Sequence, residues 1–168
     1  MSDIVFYDLH VQEIVGSIIA SAIFYEIRNQ IENKCVKMYQ AIPGAATMGI
    51  CLTRAQISQK LGVKTSEIQP AMKKLRENNL ILTDYVNMDM YRAPLFFLTE
   101  FAKSLDFGKY QMRCYEKMTY GIVKCYHTAT LHNHIYHFNK LNSAALTQTF
   151  GAMGRSLGLT VDQIKRSY

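Results

Sequence analysis

Basic side chains are the residues of this sequence that most directly indicate a chemistry, and they are unevenly distributed. Segment 1–40 carries three Lys or Arg against five Asp or Glu, whereas segment 54–92 carries seven against four. Segment 109–168 carries eight against only Glu116 and Asp162, and the net charge of the chain is +6. Clustered cations favour a polyanionic partner that is bound by the middle and the end of the chain. A basic surface that serves only solubility is the alternative.

Aromatic residues alternate with cations in segment 109–140. Such an alternation can stack the bases of single-stranded nucleic acid. At helical spacing, however, it more often forms a core or a dimer face along which lysine side chains extend, and we favour packing here. The aromatic residues are Tyr110, Tyr115, Tyr120, Tyr126, Tyr136 and Phe138, and the cations are Lys109, Arg113, Lys117, Lys124 and Lys140.

Four histidines cluster beside Cys125 in the same segment, namely His127, His132, His134 and His137. Cys and His are common ligands of Zn²⁺, but the spacing matches no familiar zinc motif. We therefore expect surface histidines that gain charge in mild acid, and no metal ion.

Signals for catalysis and for membranes are weak. The sequence contains neither a phosphate-binding P-loop nor an HExxH motif, and Asp and Glu, which are common general bases, are scarce after residue 107. We expect a protein that is not an enzyme and binds no cofactor. The four Cys show no paired spacing, the apolar stretch 14–25 is too short for a bilayer, and Asp3 and Asp8 do not fit a secretory signal. The sequence therefore predicts a cytoplasmic protein with no membrane partner.

A pair of short helices is predicted in the middle of the chain. Thr53 is a good N-cap and Gln56 has the capping-box spacing, while Gly62 can form the tight turn that ends the first helix. The second helix is predicted over residues 65–79. Its inner face is predicted to carry Ile68, Met72 and Leu75, which leaves the opposite face free.

A β-hairpin is predicted directly after these helices. Residues 81–86 and 93–98 have the β-propensity of strands, and the polar residues 87–92 form the turn between them. Pro94 places the second strand at an edge or at a strand start. Thr99 is predicted to cap a short helix over residues 100–105.

The flanking segments are predicted to be helical. Apolar residues recur at steps of three and four along segment 11–40, which predicts one long helix. Segment 41–50 is predicted to be a loop. Further helices are predicted within segments 109–140 and 143–157, with a last turn or two capped by Thr160.

The middle segment resembles the helix-turn-helix of bacterial winged-helix regulators and of phage or plasmid replication proteins. The resemblance rests on the ordered apolar positions Leu61-Gly62-Val63, Ile68, Ala71-Met72, Leu75 and Leu80-Ile81. The hairpin resembles the wing of MarR-type regulators, in which an Arg lies six residues before the Leu of a Leu-Thr-Glu. Arg92 and Leu98-Thr99-Glu100 keep that spacing.

The resemblance implies a mostly α fold with a winged helix-turn-helix and a two-stranded β-hairpin wing. The helix-turn-helix would span residues 52–80 and the wing residues 81–98. Both would lie in a domain over 1–108 that begins with the long N-terminal helix. A basic helical C-terminal extension would occupy residues 109–168.

The resemblance also implies binding of double-stranded DNA by a homodimer, with the second helix of each subunit in a major groove. Gln69 would pair with N6 and N7 of adenine. Arg92 on the wing would meet phosphate or the minor groove, unless Asp89 held it in an ion pair. The implied DNA-binding residues are Arg54, Lys64, Thr65, Ser66, Gln69, Lys73, Lys74, Arg76 and Arg92.

Two departures from the family pattern leave the function open. Lys64 replaces the usual capping Ser or Thr, so that the cap is expected to shift to Thr65 or Ser66. Pro70 replaces a base-contacting cation and has no donor to offer. A transcriptional regulator is the favoured interpretation. The alternatives are a replication protein that binds origin DNA or a helicase, and an adaptor that binds only a protein of the replication or transcription machinery.

Overall fold

The computed structural model describes residues 4–34, 36–105, 112–117, 120, 126–142 and 150–167. These residues contain six strands and eight helices. In chain order they are β1 (Ile4–Asp8), α1 (Leu9–Val15), α2 (Ile18–Asn33), β2 (Met38–Tyr39), β3 (Gly49–Cys51), α3 (Arg54–Leu61), α4 (Thr65–Glu77), β4 (Ile81–Asn87), β5 (Arg92–Leu98), α5 (Glu100–Ser104), β6 (Met112–Glu116), α6 (Tyr126–Asn142), α7 (Phe150–Leu157) and α8 (Val161–Ser167).

The strands form two antiparallel sheets, and this corrects the expected fold class. β1 pairs with β6, and a four-stranded sheet has the order β2-β3-β5-β4. The protein is mixed α/β and not mostly α with a single hairpin wing. The four strands that were not expected have at most five residues each, which is too short for an alternating pattern to stand out.

The single long helix predicted over segment 11–40 is wrong. The chain forms α1 and α2 with a break at Gly16, which has φ +67° and donates its N–H to the Gln12 carbonyl at 2.8 Å. Ser17 then caps α2, because its hydroxyl accepts a hydrogen bond from the Ala20 N–H at 3.2 Å. A helical period of apolar residues continues across the break, which is why the periodicity alone did not reveal it.

The helical C-terminal extension is also wrong in its first part. Met112–Glu116 is strand β6, which pairs with β1 so that Tyr115 lies opposite Val5. Met112 is 37% exposed and Tyr115 is 0% exposed, because residues three apart lie on opposite faces of a strand. In a helix, residues three apart share one face, which is why the spacing of these two apolar residues predicted a helix. Residues 109–111, 118–119, 121–125 and 143–149 of the predicted helices lie outside the described residues.

The hydrophobic core lies between α2, the helix pair α3–α4 and the two-stranded sheet. Its most buried large side chains are at most 1% exposed and include Ile23, Phe24, Ile27, Ile57, Ile68, Leu75, Tyr7 and Tyr115. The inner face predicted for α4 is confirmed, since Ile68, Met72 and Leu75 are all buried. Burial of these side chains is the main stabilising contribution to the position of α4.

The hairpin confirms the predicted strands. β4 and β5 pair from Ile81 opposite Leu98 to Asn87 opposite Arg92. Thr99 caps α5 by accepting the Ala102 N–H at 3.0 Å, and it donates its hydroxyl to the Asn79 carbonyl at 2.6 Å. The base of the hairpin is thereby fixed to the end of α4.

Among the described residues, no helix combines the length and the hydropathy that crossing a membrane requires.

Candidate nucleic-acid interface

Helix α3 begins and ends as the sequence predicts. The Thr53 N–H donates to Gln56 Oε1 at 2.8 Å, and the Gln56 N–H donates to Thr53 Oγ1 at 3.2 Å. Gly62 ends the helix with φ +67°, a conformation that glycine adopts without steric cost. This local geometry buries Ile57 and leaves Arg54 exposed on the first turn.

The N-cap of helix α4 differs from the one predicted from the sequence. The N-cap is Lys64, and the cap does not shift to Thr65 or Ser66. The backbone N–H of Lys64 is satisfied by Glu67, whose Oε2 accepts it at 2.9 Å. A carboxylate in the first turn also interacts favourably with the helix dipole. Thr65 and Ser66 are exposed in the first turn.

The outer face of α4 carries exposed polar side chains. Lys73 and Lys74 lie off the buried stripe, and Lys73 Nζ is 3.7 Å from Glu77 Oε1. These two partners are 69% and 59% exposed, so that their ion pair is worth little in water. Pro70 lies inside the helix and is exposed on the same side.

A groove of about 310 Å³ separates α4 from the hairpin. Four predicted site residues line it from three elements: Arg54 on α3, Gln69 and Arg76 on α4, and Arg92 on β5. Arg54 Nη2 donates to Gln69 Oε1 at 2.9 Å, which joins the two helices across the turn. Among the described residues, no Asp or Glu lines the groove.

Arg92 contacts an aromatic ring and not the carboxylate considered from the sequence. Its guanidinium carbon lies 4.7 Å from the centre of the Tyr85 ring, within the range of a cation–π interaction. Within the described part of the chain, no ion pair between Arg92 and Asp89 is formed. The guanidinium of Arg92 is thus oriented by Tyr85 at the mouth of the groove.

The nine predicted site residues are all exposed and fall into three groups. Arg54, Gln69, Arg76 and Arg92 meet at the groove. Lys73 and Lys74 lie on the outer face of α4. Lys64, Thr65 and Ser66 lie at its N-terminus.

Sequence reasoning assigned no role to the two groove tyrosines, Tyr85 and Tyr91. Tyr85 is 54% exposed and Tyr91 is 58% exposed, and both line the groove. Alternation along β4 could have revealed Tyr85, because it shares a strand face with Thr83, which also lines the groove.

A cluster of tyrosines from the C-terminal half packs beneath the start of α4. Tyr126 donates its hydroxyl to Glu67 Oε2 at 3.0 Å, and Tyr120 donates to Glu67 Oε1 at 3.5 Å. The two rings stack with centres 4.1 Å apart, and the Tyr115 hydroxyl donates to the Leu61 carbonyl at 3.2 Å. Burial, and then the hydrogen bonds to Tyr120 and Glu67, raise the pKa of Tyr126.

These contacts confirm the packing interpretation for the three tyrosines. Tyr110 lies outside the described residues, as do the side chains of Tyr136 and Phe138.

His127 differs from the expected surface histidine. It is half-buried, and burial lowers the pKa of its imidazole. Its Nε2 lies 3.4 Å from Gln163 Nε2 on α8. Among the described residues, no group of three or more His, Cys, Asp or Glu side chains could hold a metal ion. Cys125 and the side chain of His137 lie outside those residues.

One segment matches a catalytic motif in its spacing but not in its geometry. Gly154-Arg155-Ser156-Leu157-Gly158 fits the GxSxG pattern of serine hydrolases, in which the Ser lies on a sharp turn from a strand into a helix. Here Ser156 lies in the last turn of helix α7, and its carbonyl accepts Arg113 Nε at 2.5 Å. The arrangement is therefore not a nucleophile elbow.

Comparison with known proteins does not identify a family. No protein-family model, no curated protein and no solved structure matches this chain.

Proposed function

We propose that this chain is a DNA-binding protein that contacts duplex DNA with the outer face of α4 and the β4–β5 hairpin, and that it acts as a transcriptional regulator. One observation carries the proposal. Four residues that the sequence marked as DNA-binding, Arg54, Gln69, Arg76 and Arg92, converge on one groove although they come from three elements.

The charge of this surface supports contact with phosphate. Three guanidinium groups surround the groove, and Lys73 and Lys74 extend the positive surface along α4. Guanidinium groups match the geometry of phosphate oxygens and hold them by paired hydrogen bonds. Glu77 is the exposed acidic residue of α4, and its ion pair with Lys73 is weak because both side chains are more than half exposed, so that Lys73 stays available for phosphate.

The dimensions of α4 suit a major groove. Its 13 residues span about 20 Å, and the major groove of B-DNA admits a helix of this width. Gln69 is positioned by Arg54 through one lone pair of its amide oxygen. Because that oxygen has a second lone pair, Gln69 can still accept a hydrogen bond from the N6 amino group of adenine while its own amide N–H donates to N7.

The order of helix, turn, helix and hairpin supports the family resemblance, and with it a homodimer that contacts two half-sites. We expect sequence selectivity to be modest, because Pro70 occupies a position from which a cation could contact a base. Thr65, Ser66 and Gln69 are the side chains of α4 that remain for base contacts.

The decisive experiment is a binding titration with duplex, forked and single-stranded DNA at two salt concentrations. The double variant Lys73→Glu with Lys74→Glu should weaken duplex binding at least about tenfold, because it replaces two phosphate-facing cations with anions. Lys34→Glu with Lys37→Glu makes the same charge change at exposed positions outside α4, the hairpin and the groove, and should have little effect.

The three candidate functions predict different affinities for the three forms of DNA in this titration. A regulator binds a discrete duplex site best, and a replication protein prefers forked or single-stranded DNA. Unchanged duplex affinity in a well-folded Lys73/Lys74 variant, or the absence of salt-sensitive DNA binding, contradicts the proposal and favours an adaptor.

A further inference from the structure

The groove between α4 and the hairpin has the chemistry of a ligand site as well as that of a DNA-contacting surface. Arg54, Arg76 and Arg92 approach it from different elements, and no carboxylate lines it among the described residues. Arg54 and Arg92 are already oriented by Gln69 and Tyr85. Three guanidinium groups around one groove favour an anionic occupant.

The remaining walls favour a flat, apolar ring. Tyr85 and Tyr91 flank the mouth, and each exposes more than half of its surface. The apolar residues that line the floor of the groove are Leu52, Ile57, Ile68, Met72, Pro94 and Phe96. Exposed tyrosine rings above an apolar floor can stack on the face of a nucleobase.

The size of the groove suits a single nucleotide. A volume of about 310 Å³ lies at the lower end of the range for small-molecule sites, which begins near 300 Å³. A base pair inside a duplex presents only its edges and keeps its faces stacked on its neighbours. A base that contacts the tyrosines must therefore be unpaired.

We propose that the groove binds a single nucleoside phosphate, with its phosphate held by the arginines and its base against Tyr85 and Tyr91. This nucleotide is either an unpaired residue of a DNA strand or a free nucleotide. The first source rests on the proposed function, since the same strand would also contact α4. The second source does not, and it would make a free nucleotide a competitor of DNA.

The test uses the full chain and four probes at one ionic strength. The probes are a perfect duplex, the same duplex with one bulged nucleotide, free adenosine monophosphate and inorganic phosphate. The variant is Tyr91→Ala, and its control is Phe101→Ala, which removes an aromatic ring that is 42% exposed on α5, outside the groove.

If the nucleotide belongs to DNA, the bulged duplex binds about tenfold more tightly than the perfect duplex, the scale of one stacked base. Tyr91→Ala abolishes that difference, while Phe101→Ala retains it. If the nucleotide is free, adenosine monophosphate displaces the perfect duplex, and Tyr91→Ala weakens this displacement.

Two results would overturn the inference. One is that inorganic phosphate and adenosine monophosphate displace the duplex equally well, which would show that the base makes no contact with the groove. The other is tight binding of the perfect duplex with no preference for the bulge and no displacement by the nucleotide. A chain that binds neither duplex contradicts the proposed function instead, and binding of adenosine monophosphate then still decides whether the groove is a nucleotide site.

Discussion

Arg92 and Gln69 are each held by a neighbouring side chain at the surface of the groove. Arg92 stacks on Tyr85, and Gln69 accepts a hydrogen bond from Arg54. Such contacts restrict the rotamers of long side chains before a ligand arrives, so that less conformational entropy is lost on binding. At the scale of single residues, the proposed interface is thus preorganised.

The clearest test of one of these residues is Arg92→Ala. The substitution should weaken binding to all duplexes, most of all to those with A·T-rich flanks, where a narrow minor groove concentrates negative potential. It should also reduce the slope of log K against log salt by about one counterion. Lys103→Ala, an exposed cation on α5, is the control and should leave the slope unchanged. Identical slopes and intercepts for wild type and Arg92→Ala would remove the hairpin from the interface.

Glu67 is a second residue whose contacts predict a measurable effect. Its carboxylate accepts the Lys64 N–H and the Tyr126 hydroxyl on the same oxygen. Glu67→Gln removes the charge and one acceptor, and should lower the free energy of unfolding by about 1–3 kcal/mol, as for hydrogen bonds to charged groups. Glu77→Gln breaks only an exposed ion pair and should cost about 0–1 kcal/mol. Equal effects of the two substitutions in urea unfolding would show that Glu67 does not anchor α4.

At the scale of elements, α4 depends on the buried stripe that faces α2 and α3. Leu75 is 0% exposed at its centre. Leu75→Ala should lower the free energy of unfolding by about 2–5 kcal/mol, the range for emptying a buried leucine site. Its neighbour Lys74 is exposed, and Lys74→Ala should change stability by less than about 0.5 kcal/mol. A Leu75→Ala protein with the wild-type melting temperature would place α4 in another register.

The contact of α6 with α8 should make stability depend on pH. Burial lowers the pKa of His127 in the folded protein, so that the unfolded chain binds the proton more readily. Stability contributed by neutral His127 is therefore complete above the unfolded pKa of about 6.5 and falls as the pH drops below it. His127→Gln should flatten the pH dependence of the unfolding free energy between about pH 7 and 5. The same substitution at exposed His132 is the control, and equal flattening by both would contradict the assignment.

The sequence predicted those elements whose ends are encoded locally. The capping box at Thr53, the turn at Gly62 and the cap at Thr99 depend on side chains within four residues of each helix end, and these predictions are confirmed. β1 and β6 could not be predicted in the same way, because Val5 and Tyr115 pair only after the intervening chain has folded. The sequence pointed to the arginines that line the groove but not to the groove itself or to its tyrosines, since their position depends on how the hairpin packs against α4.

At the scale of the whole molecule, residues of the C-terminal half pack against the helix pair α3–α4 that carries the proposed interface. β6 completes the sheet that β1 begins, and the Tyr115 hydroxyl on β6 donates to the Leu61 carbonyl at the end of α3. Tyr120 and Tyr126 donate to Glu67 at the start of α4. The turn between the two helices is therefore fixed by residues that lie more than fifty positions later in the sequence.

This arrangement predicts that a fragment of residues 1–108 is much less stable than the full chain. The fragment would leave β1 without its strand partner and Glu67 without its two tyrosines. It would also expose Val5 and Tyr7, which are 3% and 0% exposed in the full chain.

Each kcal/mol lost shifts the melting temperature of a domain of this size by about 4–8 °C, so that the loss of several buried contacts in the fragment should lower its melting temperature by more than about 10 °C. Thermal unfolding followed by circular dichroism measures the shift, and amide exchange in α4 shows whether the loss reaches the interface. A fragment with the melting temperature and the α4 protection of the full chain would establish residues 1–108 as an independent domain. The tyrosine cluster would then contribute nothing to the position of the proposed DNA-contacting helix.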